Sequence, residues 1–443
     1  MPPAHPKDTE ITRFDAIIIG AGIIGCAIAL ELARKGHKTL NVDALPSAGY
    51  GSTSSSAAVI RTYYSTLDGT ALALEGYHDW KSWPADLEPD GEEELARFID
   101  TGTVLMKTAG DKTLGHVLKH SDTLGIAYEH WSPAQIEESL PGYNLECFAP
   151  AKTMDDDTFG MPTGGKIEGG VFFPASGYVD DPQLAARNLK DAAARCGAAF
   201  CFNTKVVSIK VTENRVTGIA CEDGRVFEAG IVINASGPHS GKVNRLLEGE
   251  TGICIGHRPL RQEVVQVKPP EKLGYTREGL IVADGDVACY VKPGSGGQLM
   301  IGSLNPSCDP HIEEDPDDFR RDLTDRALTY AYRYSQRLPE LGVSQHPLGV
   351  ADLYDATDDW LPIYDRSDVD GFYLAIGTSG NQFKNAMVAG RLMSELIEYC
   401  ENGNDHDAHP LQYALRHVEH TINTATFSRK RDLTKESSFS VLG

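Results

Sequence analysis

The 443-residue chain has nine cysteines but no CxxC pair, and their odd number and scatter argue against a disulfide framework and a zinc cage. Basic residues are in deficit: 41 Lys+Arg stand against 63 Asp+Glu, a net charge of −22. Such a field repels nucleic acid and anionic lipid, so polyanion binding is not the main task. No long apolar run is present. The longest, Ala16 to Leu30, falls short of the roughly 20 residues a bilayer requires and is interrupted by Gly20, Gly22 and Gly25. The N-terminus lacks the basic start of a signal peptide, carrying Asp8, Glu10 and Asp15 instead. A cytoplasmic protein with reduced thiols and no membrane span is expected. There is no GxSxG nucleophile elbow and no GxxxxGK[ST] phosphate loop. His116 and His120, and His417 and His420, have ligand-like spacing on a helix but no third ligand in context, so no metal site is expected.

What the chain has is a glycine-punctuated α/β pattern. Asp15 to Ile19 is a short β-branched run suited to a buried parallel strand. Ile23 to Lys35 is helical text stopped by Gly36, and a second strand, Lys38 to Val42, ends on Asp43. Gly20, Gly22 and Gly25 therefore form GxGxxG between a strand and a helix. The first glycine permits a tight turn, the second lets backbone approach a pyrophosphate, and the third lets the helix pack on the strand. The helix N-terminus offers N–H groups to the phosphates. Asp43, 18 residues after Gly25, is placed to accept hydrogen bonds from an adenosine ribose, which favours FAD or NAD over NADP.

Further along, helices are expected near Gly69 to Trp83, Pro182 to Cys196 and Asp317 to Arg337. Strands are expected at Gly102 to Met106, Val216 to Cys221, Val226 to Glu228, Gly230 to Ala235, Gln262 to Val267, Ala288 to Lys292 and Leu299 to Gly302. The acidic run Asp155, Asp156 and Asp157 reads as a solvated loop. Sheet-forming text comes in three blocks separated by two others. This predicts a doubly wound α/β domain over 1–95, 165–240 and 350–404, a second domain over 96–164 and 241–349, and a tail over 405–443. Residues 1 to about 13 read as a loose arm. In the tail, Phe427, Phe439, Val441 and Leu442 suggest some docking.

The text resembles the D-amino-acid oxidase-like flavoproteins, particularly the sarcosine oxidase and glycine oxidase branch. The resemblance rests on IIIGAGIIG; KTLNVDA with Asp43; the Ser-rich loop ending in VIR at Arg61; GYVDDPQLAARNL at 177–189; VINASGPHS at 232–240; CYVKPGSGGQLMIG at 289–302; DDWLPIYD; and IGTSGNQFK at 376–384. It implies a Rossmann-like FAD domain of the glutathione-reductase type, and an inserted α+β substrate domain built on a mainly antiparallel sheet. Non-covalent FAD would lie against Gly20, Gly22, Ile23, Ile24, Gly25, Asp43, Ala44, Ser52, Thr53, Ser54, Val207, Ala235 and Gly237. The flavin end would meet Gly377, Gly380, Asn381, Gln382, Phe383 and Lys384.

The implied activity is oxidation of the C–N bond of an N-methylated, secondary or tertiary amino acid, with hydride passing to flavin N5 and the imine hydrolysing. A primary amino acid is the alternative substrate. Arg61 and Lys384 would hold the substrate carboxylate, and Tyr290 and Tyr354 would line its cavity. Oxygen or an electron-acceptor protein would take the electrons, and an oligomer is left open. Three positions depart from the family pattern. Asp352 stands where monomeric sarcosine oxidases carry the flavin-linking cysteine, Met300 where they carry a lysine that aids reaction with oxygen, and Leu304 where they carry an active-site histidine.

Overall fold

The computed structural model describes residues 12–91, 93–108, 112–434, 437, 438 and 440. Six strands form the first sheet, in the order Ala199–Cys201, Thr39–Val42, Ala16–Ile19, Ile231–Asn234, Phe372–Ile376 and Ile363–Arg366. The first five are parallel and the last is antiparallel to its neighbour. All four residues of Ala16–Ile19 and of Ile231–Asn234 are buried, as expected of central strands covered on both faces. The helix Ile23–Arg34 packs on the helices Pro182–Arg195 and Ala386–Glu401. A Cβ at Gly390 would lie 2.7 Å from the Ala27 carbonyl oxygen, so glycine is what lets the two helices approach so closely.

The second sheet has eight strands, in the order Leu348–Thr357, His257–Val267, Leu299–Ser303, Cys289–Pro293, Ile281–Asp284, Thr103–Met106, Gly170–Phe173 and Glu129–Trp131. Its pairings are antiparallel except that of Ile281–Asp284 with Thr103–Met106. Two of these strands fall across boundaries expected from the sequence: Gly170–Phe173 and Leu348–Thr357 pair in the second sheet rather than the nucleotide sheet. A four-stranded sheet takes in the expected hairpin of Arg215–Cys221 and Val226–Glu228. Its edge is Thr12–Arg13, so the end of the expected loose arm is paired; residues 1–11 lie outside the described residues.

The helix expected from Asp317 begins only at Asp325, capped by Thr324, whose hydroxyl accepts from the Arg326 N–H at 3.3 Å. Residues before it are held in another conformation by the buried guanidinium of Arg261. That group donates to the carbonyls of Arg320 (2.9 Å) and Asp322 (2.6 Å), while Phe319 and Arg321 face the large cavity described below. The tail is not free either. Gln412–Ala414 and Thr421–Asn423 form a hairpin, Phe427 is buried, and Arg429 lies fully buried on Asp365; Phe439, Val441 and Leu442 lie outside the described residues. Among the described residues, no helix is long and apolar enough to cross a membrane.

The second sheet is pinned to the helix Asp325–Arg337 by one buried cation. Arg337 donates to Asp284 at 2.7 Å and to Asp286 at 2.8 Å, with both carboxylates and the guanidinium sealed from solvent. Burial raises the pKa of Asp286, and the N–H groups of Phe148 and Ala149 pull the other way. Arg337→Met would strip the counter-charge from buried anions, an effect of about 3–5 kcal/mol, read as a lower midpoint in chemical denaturation. The pH dependence has a definite sign. A carboxyl whose folded pKa is raised costs stability above that pKa and ceases to cost it once protonated, so the deficit of the variant should shrink as pH falls through the carboxylate range. A deficit independent of pH would contradict this account.

Candidate functional site

A cavity of about 1100 Å³ opens along the carboxyl ends of the parallel strands and is roofed by the second sheet. It exceeds the roughly 300–1,000 Å³ of an ordinary small-molecule site. One end is backbone. Gly20 has φ of +113°, and a Cβ there would strike the Ala235 carbonyl; a Cβ at Gly25 would strike the Gly20 carbonyl. The glycine turn is held from behind by Asn41, whose side-chain amide donates to the carbonyls of Gly20 (3.2 Å) and Gly25 (3.1 Å). Asp43 accepts from the N–H groups of Ala21 (2.7 Å) and Leu45 (2.8 Å), which fixes its carboxylate at the rim. Burial raises its pKa against the pull of those two bonds. Gly22 caps the first helix without a side chain, and the Thr53 hydroxyl accepts from Ile23 N–H at 3.2 Å.

Most of the expected cofactor residues line this cavity: Gly20, Gly22, Ile23, Ile24, Asp43, Ala44, Ser52, Thr53, Val207, Ala235, Gly237, Gly380, Asn381, Gln382, Phe383 and Lys384. Three expected residues are not among its lining. Gly25 packs the helix on the turn, Ser54 bonds the Gly51 carbonyl at 2.8 Å, and Gly377 donates its N–H to Asp355 at 2.6 Å. A dinucleotide fits what is present. The glycine turn keeps its shape because a Cβ at Gly20 or Gly25 would strike a carbonyl oxygen, an acid stands at the strand end where a ribose would fall, and the wall holds a donor in waiting. This last is Gln262, whose side chain is buried in the cavity lining with its amide nitrogen without a hydrogen-bond partner. Gln262 lies in a strand expected from the sequence, which gives it no role there. Its alternation with Val264, which shares that cavity-facing side, is the signal that could have marked it.

The opposite end gathers the two expected cations on one tyrosine. The guanidinium of Arg61 lies 4.7 Å from the Tyr64 ring centre, and Lys384 Nζ lies 4.7 Å from the same centre. Lys384 also donates to the Tyr64 hydroxyl and the Asn381 carbonyl, neither of them an acid. Burial, and after it the charge of Arg61, pushes the lysine pKa well below its usual value. Trp80 Nε1 donates to the Lys384 carbonyl at 3.0 Å, and Gly76 leaves room for that backbone. Tyr290 and Tyr354 both line the cavity. Burial raises both phenols, Tyr354 up to about 12, while each also feels Arg61. The Tyr354 ring occupies space that a side chain at Gly380 would need.

The positions that depart from the family pattern are distinct in place. Asp352 lies in the cavity wall and accepts from the Ser55 hydroxyl at 2.7 Å, and Leu304 also lines the cavity. Met300 is not among the lining residues and packs against Gly294. Its cross-strand partner is Lys292, buried 4.2 Å from the Tyr178 ring centre and pushed down to about 8 by burial. Of the histidines, His120 bonds the Ser65 carbonyl at 3.1 Å, and His420 bonds Asp68 at 2.8 Å. His417 comes close to Glu75 and Asp79, whose carboxylates already bind Arg391.

The family profile described as DAO: FAD dependent oxidoreductase matches residues 15–396. The glycine oxidase of Geobacillus kaustophilus (strain HTA426) is 26% identical over 404 residues, covering 89% of this chain and 95% of that one. The peroxisomal sarcosine oxidase of Mus musculus is 26% identical over 398 residues, covering 86% and 92%. The crystal structure of glycine oxidase from Geobacillus kaustophilus superposes with a TM-score of 0.71 at 20% identity, over 96% of this chain and 100% of that one. With the glycine cradle, the acid at the strand end and a profile that spans most of the sequence, the chain belongs to the DAO family of FAD-dependent oxidoreductases.

Proposed function

We propose that the enzyme oxidises the C–N bond of a carboxylate-bearing amine, with the nitrogen secondary, tertiary or N-methylated as in sarcosine. The observation that carries this reading is the convergence of Arg61 and Lys384 on Tyr64 at the end of the cavity remote from Asp43. A carboxylate leaving water needs such compensation, and an arginine fork beside a lysine point charge supplies it. An incoming anion would also restore the charged form of Lys384, which burial now disfavours. FAD, when bound, supplies the two-electron acceptor. Gly20, Gly22, Asp43, Thr53 and Ala235 would hold its nucleotide half, and Gly380 to Phe383 would face its flavin end. The chain's own residues then orient the donor: the carboxylate is fixed at Arg61 and Lys384, and Tyr290 and Tyr354 confine the nitrogen-bearing carbon. The same dry, cationic surroundings favour an uncharged amine, so no side-chain base has to remove its proton. The amine-oxidising relatives support this substrate class.

Two measurements test this reading. Removing one partner of a desolvated charge contact costs about 2–5 kcal/mol, so Arg61→Ala should lower kcat/KM for an amino-acid substrate about 30-fold or more. Arg61→Lys should recover part of this. For the decarboxylated analogue the loss should nearly vanish, and equal losses for both would mean that Arg61 serves the fold instead. The second measurement concerns attachment. Because Asp352 offers a carboxylate bonded to Ser55 where a thiol would be needed, acid precipitation should release the yellow colour into the supernatant. Colour retained in the pellet would contradict non-covalent binding.

A further inference from the structure

The C-terminal segment is expected from its sequence only to dock, yet it reaches the elements that build the cationic end of the cavity. Glu75, fully buried on the helix Leu67–Leu87, accepts from the backbone N–H groups of Arg416 and His417, both at 2.8 Å. The chain then runs to Arg431, whose fork binds Asp359 through Nε (2.8 Å) and a terminal nitrogen (2.7 Å). The same guanidinium donates to the carbonyls of Leu361 (2.9 Å) and Pro362 (3.1 Å). Ser437 donates to the Asp359 carbonyl at 2.6 Å, and Ser438 N–H reaches the Ser65 hydroxyl at 3.2 Å, next to Tyr64.

Asp359 precedes a strained residue. Trp360 has φ of +61°, a conformation that a bulky side chain keeps only when its surroundings hold it there. Its carbonyl accepts from the Asn381 side chain at 3.2 Å, and its ring meets Tyr354 edge-on with centres 6.4 Å apart. The Asn381 carbonyl in turn accepts from the Tyr64 hydroxyl at 2.9 Å and from Lys384. A continuous set of contacts thus leads from Arg431 through Asp359, Trp360 and Asn381 to Lys384.

We infer that Arg431 is a positioning residue for the carboxylate-binding end of the site: its bidentate grip on Asp359 fixes the Trp360 turn, which sets Asn381, Tyr354 and Lys384. The inference deepens the proposed function and rests on it for the identity of the ligand, but the geometry can be read without a substrate. Full-length holoenzyme should be compared as wild type, Arg431→Ala, Arg431→Lys and Asp359→Asn by amide hydrogen exchange, and by the anaerobic rate of flavin bleaching over a range of sarcosine concentrations. In Arg431→Ala, exchange should rise about tenfold in peptides covering 353–361 and 378–385, while Ile23–Arg34 is unchanged, the scale of one lost charge-assisted contact. The half-saturating sarcosine concentration should rise by about the same factor while the limiting rate changes less than about threefold. Arg431→Lys should fall between, because a point charge cannot reproduce the fork. If Arg431→Ala does not fold, Asp359→Asn and Arg431→Lys carry the same comparison. Exchange that is unchanged in those two peptides, or that rises equally in Ile23–Arg34, would overturn the inference. If exchange responds as expected but sarcosine and other amino acids leave the flavin unchanged, positioning stands and the substrate reading falls.

Discussion

Asp355 is where the two sheets meet. It sits on the strand Leu348–Thr357 of the eight-stranded sheet and is almost fully buried. One carboxylate oxygen accepts from Gly377 N–H at the end of an outermost parallel strand, Phe372–Ile376, and from the Ser240 hydroxyl at 3.0 Å beyond the strand Ile231–Asn234. The other faces His257 at 3.3 Å, and the Asp355 carbonyl accepts from Ser379 N–H at 2.7 Å. Burial works against a charge on His257, but the carboxylate outweighs it and lifts the pKa above the usual histidine value. The turn that carries Gly380, Asn381 and Lys384 thus hangs from an acid of the opposite sheet. Without that seam, the roof of tyrosines would have no fixed relation to the glycine cradle below it.

From this seam the site divides into two kinds of chemistry. The end at the glycine turn is made largely of backbone, and its requirement is the absence of side chains at Gly20 and Gly25, with Asn41 and Asp43 tying the loops in place. The other end is made of side chains brought from distant segments, and its requirement is burial. Arg61 arrives from the strand-like segment after the Ser-rich loop, Lys384 from the turn before the last long helix, and Tyr290 and Tyr354 from the second sheet. Low local polarity is what makes such cations effective toward a carboxylate and at the same time depresses the lysine.

The nucleotide half was legible in the sequence because it is local: strand, glycine turn, helix, strand and acid follow one another within about 30 residues. That Arg61 and Lys384 line the same cavity was legible only through family resemblance, since they are 323 positions apart in the chain. Periodicity identifies a strand but not its partner. Leu348–Thr357 therefore looked like a return to the nucleotide sheet, although its pairing lies with His257–Val267. The late start of the helix at Asp325 was hidden for a similar reason, because the Arg261 contacts that hold Arg320 and Asp322 out of the helix come from 59 and 61 residues away. Asn41, Asp355 and Gln262 were missed as polar residues inside strand text, where their partners or cavity are visible only after folding.

The central claim is that one cavity holds FAD and a carboxylate-bearing amine end to end. It is tested most directly by anaerobic titration of the yellow wild-type protein with matched pairs of amines, each amino acid beside its decarboxylated counterpart, following the visible flavin absorbance. The account predicts bleaching by at least one secondary or N-methylated amino acid and far weaker bleaching by its decarboxylated partner. Equal bleaching by both members of a pair, or no response to amines from a protein that carries FAD, would contradict it.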